Sequence, residues 1–146
     1  MIKASFFSRL VAYIVDGFAM GIIAWGLSLL IRGVTGLTSN TDSLFFGILG
    51  GTLVVIMVFV LFILQFLYFG YFWNKDGQSI GMKLTGIKVV RRDGNLQSYM
   101  RAAFRGTIGY WISSLVFGLG FIWAAFDSEK EGWHDKIFDT SVVEAN

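Results

Sequence analysis

Between Asp42 and Lys75 the chain runs for 32 residues without a single charge. The hydrocarbon core of a bilayer is crossed by about 20 apolar residues in a helix, so a run of this length is read as a membrane span, tilted or with an interfacial end near Gly47, Gly50 and Gly51. A water-soluble core has no use for so long an uncharged segment. Composition agrees: 55% of the 146 residues are hydrophobic, 17% are aromatic, and the mean hydropathy is +0.64. These values exclude an ordinary soluble domain and leave no length for a separate soluble enzyme, so one membrane domain, residues 1–146, is expected. There is no Cys, hence no disulfide, thiol nucleophile or zinc cluster.

Two further apolar stretches complete the pattern. Phe6 to Ile31 reads as a first spanning helix. It continues past Asp16, which a cleavable signal segment of about 7 to 15 uninterrupted apolar residues would not do. Gly17 and Gly21 form a GxxxG step, read either as a dimer contact or as internal packing. Gly106 to Phe126 is a third uncharged run, interrupted by Gly118 and Gly120. It either spans, leaving the tail outside, or re-enters, leaving the tail beside the basic loop. Re-entry is preferred because Thr140 to Val143 reads as a strand able to pair with the hairpin expected around Asp93-Gly94.

The connecting region is basic, with Lys75, Lys83, Lys88, Arg91, Arg92, Arg101 and Arg105, and Lys3 and Arg9 lie at the amino end. The positive-inside rule places the amino terminus and residues 75–104 in the cytoplasm, and the Gly/Thr/Ser/Asn connection from Arg32 to Asp42 outside. Topology and anionic headgroups account for this charge without nucleic acid. Tyr68, Tyr71, Phe72 and Trp73 read as an interfacial aromatic belt. Leu84, Ile87 and Val89 suggest a short strand, and Asp93-Gly94 a hairpin turn, so a small β-hairpin is expected under the membrane. Gly77, Gly81, Lys83 and Thr85 have the wrong spacing for a phosphate loop. The fold class is therefore an all-α membrane protein: a small polytopic bundle of two spanning helices and a third spanning or re-entrant segment, with a short cytoplasmic β-hairpin.

Two charges sit inside the first span. An ionisable group at membrane depth is expensive and marks a functional or structural site. Arg9 and Asp16 are seven residues apart, so they share a helix face but lie roughly 10 Å apart along the axis. Arg9 is shallow enough to reach water or headgroups, whereas Asp16 needs partners from elsewhere in the fold. Near the end, Trp133, His134 and Asp135 form a polar group. A lone His with no Cys is a poor metal site, and no metal or other cofactor is expected.

The sequence resembles the RDD family of small membrane proteins, named for one arginine and two aspartates. Arg9 and Asp16 match its first two signature residues. The stretch GQSIGMKLTGIKVVRRDG, Gly77 to Gly94, is similar to its most recognisable segment, and Arg101 and Arg105 to the arginines that follow. GWHDKIFDTSVV, Gly132 to Val143, is similar to its closing motif, which implies Asp135 as the second aspartate. Relatives tend to have Gly or a small residue where this chain has Asp139. The resemblance implies a fold more than an activity: transport of undefined ligands, with some members linked to sodium/proton exchange.

Two functions follow as expectations. In the first, an oligomer transports monovalent cations or protons, with Asp16 as the carrier carboxylate, Arg9 as the competing positive charge, and Asp135 at the cytoplasmic mouth, pairing with Arg9, Arg101 or Arg105. An intramembrane carboxylate near an arginine is poised between protonated and ionised forms. In the second, a non-transporting accessory or scaffold protein uses the same charges, supported by Arg101, Arg105 and His134, as a structural network. An enzyme is not expected, because a hydrolase using His134 and Asp135 would need a Ser from far away in sequence. The expected setting is a prokaryotic plasma membrane, with the lipid bilayer and further copies of the chain as partners.

Overall fold

In a computed structural model, residues 1–36 and 44–145 are described. The polar connection expected between the first two helices lies mostly outside them. Helix α1 (Phe6–Gly36) starts at Ser5, whose Oγ accepts the Ser8 N–H at 3.0 Å. Helix α2 (Leu44–Lys75) contains the uncharged run. Both are long and apolar enough to cross a membrane. With no Pro in the chain, nothing breaks the backbone ladder of either helix from within.

The chain divides into two compact units, Met1–Asp16 with Gln65–Asn146, and Gly17–Leu64. The second unit contains the remainder of α1 and α2. It exposes large apolar side chains such as Phe18, Trp25, Leu30, Phe45, Val55 and Phe59. In water such a surface is unfavourable, and against acyl chains it is the natural exterior. A Cβ built at Gly17 or Gly21 meets nothing within 4 Å, so neither glycine marks a close internal contact among the described residues.

The first unit carries everything else. After α2 the chain turns at Asp76 and Gly77 into a short helix α3 (Ile80–Thr85), capped by Ser79 and ended by Gly86 in the left-handed region. Strand β1 (Ile87–Arg91) follows. Asp93-Gly94 does make a turn, with the Gly94 N–H on the Arg91 carbonyl at 2.8 Å. The chain does not return from it as a strand, however. The antiparallel partner of β1 is β2 (Thr140–Glu144), with Val89 opposite Val142, so the sheet is a long-range pair instead of a local hairpin. The amino end joins the other edge of β2: Ala4 N–H donates to the Val142 carbonyl and Glu144 N–H to that of Ile2, both at 3.0 Å. Edge pairing by two separate segments satisfies polar backbone that a two-stranded ribbon would leave exposed.

Between the strands lie α4 (Tyr99–Ser114) and α5 (Leu119–Phe126), bent by 91° at the break between them. Phe117 and Gly118 both have positive φ there, which Gly118 adopts without steric cost. Phe117 at the tip is 97% exposed. Because β1 precedes this bent pair and β2 follows it, their hydrogen bonds hold both ends of the excursion on one side. One crossing of a 30 Å hydrocarbon core would separate them; re-entry does not. Helix α6 (Trp133–Phe138) then leads into β2.

The core of this unit comprises Ala4, Ala12, Phe69, Trp73, Met82, Ile87, Val89, Ala102 and Val142. Phe69 and Trp73, four residues apart, share the inward face of α2, whereas Tyr71 is 53% exposed. The expected aromatic belt is thus split by helical periodicity: Tyr71 keeps the exposed position, while Trp73 and Tyr68 serve the interior. Single cysteines placed at Asn95 and Glu144, both exposed, are expected to react with an impermeant maleimide from the same face of sealed vesicles; reaction from opposite faces would overturn the re-entrant path.

Candidate functional site

Asp16 is 4% exposed and holds α3 against α1. Its Oδ2 accepts the Ser79 hydroxyl at 2.5 Å, and its Oδ1 accepts the Gly81 N–H and the Tyr68 hydroxyl, each at 2.8 Å. Tyr68 in turn accepts the Ile80 N–H at 3.0 Å. The carboxylate thus takes up free donors of the first turn of α3, as an N-terminal anion does. The approach is close enough that a Cβ at position 81 would collide with the Ala12 carbonyl of α1. Among the described residues no cation pairs with Asp16. The expectation that Arg9 competes for it is corrected, because Arg9 reaches the other aspartate.

Asp135 is fully buried and accepts from both arginines: Arg9 Nη1 at 3.0 Å on Oδ2, and Arg105 Nη2 at 2.5 Å on Oδ1. The Gly132 N–H adds a bond to Oδ2 at 3.1 Å, and the Thr140 hydroxyl lies 3.2 Å from Oδ1. Arg9 also donates to the Val142 carbonyl at 3.1 Å, and Arg105 Nε to Thr140 at 2.9 Å. The amino helix, α4, α6 and β2 therefore meet at one carboxylate. Burial pushes the Asp135 carboxyl up, but the charges of Arg105 and Arg9 and the hydrogen bond from Arg105 outweigh it and hold it well below the usual carboxylate range. Arg105 starts a π-helical turn, Arg105–Gly109, and its guanidinium lies 4.5 Å from the centre of the Trp73 ring.

His134 and Ser113 extend this cluster, with Ser113 Oγ 2.9 Å from His134 Nδ1. Together with Asp135 they have the composition of a hydrolytic triad, and the Ser does come from far away in sequence. The geometry is wrong for the chemistry. Ser113 is wholly buried against Gly120, His134 Nε2 is 3.7 Å from Asp135, and that carboxylate is engaged by two arginines. Burial lowers the His134 pKa to about 3, the pull of Asp135 being offset by Arg105 and Arg9, so the ring is neutral and a weak base.

Sequence reasoning missed a third cluster. Glu131, 2% exposed, accepts Lys3 at 3.1 Å, Arg92 at 2.8 Å and Ser141 at 2.7 Å, tying the amino terminus to both strands. Burial raises its carboxyl, but these bonds outweigh that and hold it below the ordinary range. Its only sequence signal was a charge near the closing motif. Arg101 makes no ion pair within 4 Å among the described residues, so of the two following arginines only Arg105 joins the network. Asp139, φ 54°, ends α6 in the left-handed region, where Gly is the easiest residue and Asp is tolerated, and pairs with Arg92 at 3.2 Å. No group of three metal-ligating side chains occurs among the described residues.

Fold and site together define a small membrane protein with helices long and apolar enough to span, in which an arginine and two aspartates join the start of α1 to α3, α4, α6 and β2. The sequence pattern of the RDD family matches residues 3–139, and the chain belongs to that family. It is 40% identical over 65 residues to uncharacterized protein YxaI of Bacillus subtilis (strain 168), a stretch covering 44% of this chain and 42% of that protein. The match therefore spans less than half of that relative. No solved structure matches.

Asp135→Asn leaves two arginines facing a neutral amide and is expected to cost about 3–5 kcal/mol, read by chemical unfolding in neutral micelles. His134 sets a pH dependence. Its folded pKa lies below its ordinary 6.5, so below pH 6.5 the unfolded chain binds a proton that the folded one does not, and stability falls with pH. Between pH 7 and pH 5 the expected loss is about 2 kcal/mol at about 1.36 kcal/mol per unit, and His134→Gln removes it.

Proposed function

We propose that the chain is a non-transporting, non-enzymatic accessory or scaffold protein of a prokaryotic plasma membrane. In this reading the signature charges build a cytoplasmic platform instead of carrying ions. The observation that carries it is the saturation of Asp16. Ser79, Tyr68 and the Gly81 N–H occupy its oxygens from fixed positions, so an entering cation would have to displace the cap of α3. The apolar cavity beside α1 is lined by Arg9 and not by Asp16. Asp135 is likewise committed to Arg9 and Arg105. The orientation rests on the positive-inside rule: Lys75, Lys83, Lys88, Arg91 and Arg92 lie in the segment that connects α2 to α4, and Lys3 joins it through Glu131.

Asp16→Asn is the test. It replaces one acceptor oxygen by an NH2 group where three donors converge and is expected to destabilise the protein by about 2–3 kcal/mol. Proteoliposomes of the native chain are expected to show no proton flux under sodium or potassium gradients. Native flux that disappears in a variant of undiminished stability would make Asp16 a carrier and overturn the scaffold reading.

A further inference from the structure

The outward face of helix α3 is apolar. Ile80 and Leu84, one turn apart and therefore on one side of the helix, are 44% and 73% exposed. Its inner side is closed: Gly81 and Met82 are buried, and a Cβ at position 81 would strike the Ala12 carbonyl of α1. That contact sets the depth of α3. The α1 span, Phe6–Gly33, has 28 residues and is about 42 Å long, close to a whole bilayer with its headgroups, so an apolar core of about 30 Å begins about 6 Å in. Ala12 lies about 9 Å in, which puts α3 at the boundary between headgroups and acyl chains.

Two exposed lysines stand beside this apolar pair. Lys83 Nζ lies 2.7 Å from Asp76 and 5.4 Å from the centre of the Phe72 ring. Lys75 Nζ lies 3.3 Å from the Tyr71 hydroxyl and 5.5 Å from the centre of that ring, and it pairs with no acid within 4 Å among the described residues. Burial raises the Asp76 carboxyl, but hydrogen bonds from Lys83 and the Gln78 N–H and the charges of Lys83 and Lys75 outweigh it and hold it below its ordinary range. Both ammonium groups thus gather around one acid. Asp16, the other acid in contact with α3, is buried on its α1 side, with its oxygens on Ser79, Gly81 and Tyr68. Lysines and aromatic rings around exposed aliphatic side chains are the composition of a helix lying in a membrane interface.

We propose that α3 and the carboxyl end of α2 form a binding surface for a glycerophospholipid of net negative charge, with its phosphate on Lys75 and Lys83 and the first methylenes of its acyl chains against Ile80 and Leu84. The depth of α3 commits the surface to lipid. The lysines commit it to an anionic one: a choline headgroup cancels the charge of its own phosphate, whereas a glycerol headgroup leaves that charge for Lys75, which has no acid of its own. Lysine stems lie on apolar surface while their ammonium groups stay at the level of the phosphates. The inference goes beyond the scaffold reading and does not rest on it, since a chain that moved ions could hold the same lipid.

The chain has no Cys, so Leu84→Cys gives a single site for a bimane label, and Asn95→Cys, exposed beyond β1, gives a control. The labelled full chain is placed in bilayers of phosphatidylcholine with a rising share of phosphatidylglycerol, one of the two brominated on its acyl chains in each series. Quenching is expected at position 84 and not at position 95, with phosphatidylglycerol associating about fivefold more strongly than phosphatidylcholine. Lys75→Gln combined with Lys83→Gln, both at exposed positions, is expected to bring the two lipids level. The comparison of lipids on the chain that keeps both lysines decides the matter even if that variant folds poorly. An unquenched label at position 84, equal quenching at position 95, equal association of the two lipids, or an unchanged preference in the double variant would each overturn the assignment. So would loss of the preference on adding inorganic phosphate at constant ionic strength, which would make the lysines a site for free phosphate.

Discussion

Everything in the platform hangs on the carboxylate of Asp135 between two arginines. A buried charge of either sign is prohibitive alone, and three such charges are tolerable only when geometry lets each satisfy the others. Here Arg9 comes from the first membrane helix, Arg105 from the re-entrant excursion, and Asp135 from the helix before the last strand. Their meeting fixes three segments that are far apart in the chain. Apolar packing alone would leave these elements free to slide, because the hydrophobic effect is not directional. The ion network supplies the direction. Trp73 beneath Arg105 and Thr140 beside it complete the enclosure.

Asp16 plays a separate and complementary part. It reaches no cation among the described residues but gathers Ser79, Gly81 and Tyr68, and so binds the start of α3 to α1. Gly81 permits the contact, since any side chain there would strike the α1 backbone. A signature carboxylate in a membrane helix thus has a complete structural occupation. Glu131 is likewise fully engaged, but by cations, where Lys3 and Arg92 converge. Three buried acids fasten the unit, Asp135 and Glu131 through cations and Asp16 through neutral donors alone.

Two arginines serve one aspartate, and His134, buried against Tyr110 and Phe121, is neutral. An apolar cavity adjoins the cluster, lined by Leu10, Tyr13, Phe121 and Ile122 as well as by Arg9 and Arg105.

The spans were legible in the sequence because a bilayer filters for runs of uncharged residues, a property that needs no tertiary information. Leu44–Lys75 follows directly from the uncharged stretch, and the tail strand at Thr140 from its β-branched run. The resemblance carried by Arg9, Asp16 and Asp135 was also legible, as was the need of Asp16 for partners. What the sequence could not state is who meets whom. The turn at Asp93-Gly94 was visible, yet β1 pairs with a strand some fifty residues on, because local turn chemistry does not determine long-range pairing. Ser113 at His134, Glu131 under Lys3, and Arg105 rather than Arg101 on Asp135 are likewise products of the fold. Length and hydropathy decided that this chain enters a membrane; only the packing of segments remote in sequence decided which charges meet, because ion pairing needs side chains that the fold alone brings within reach.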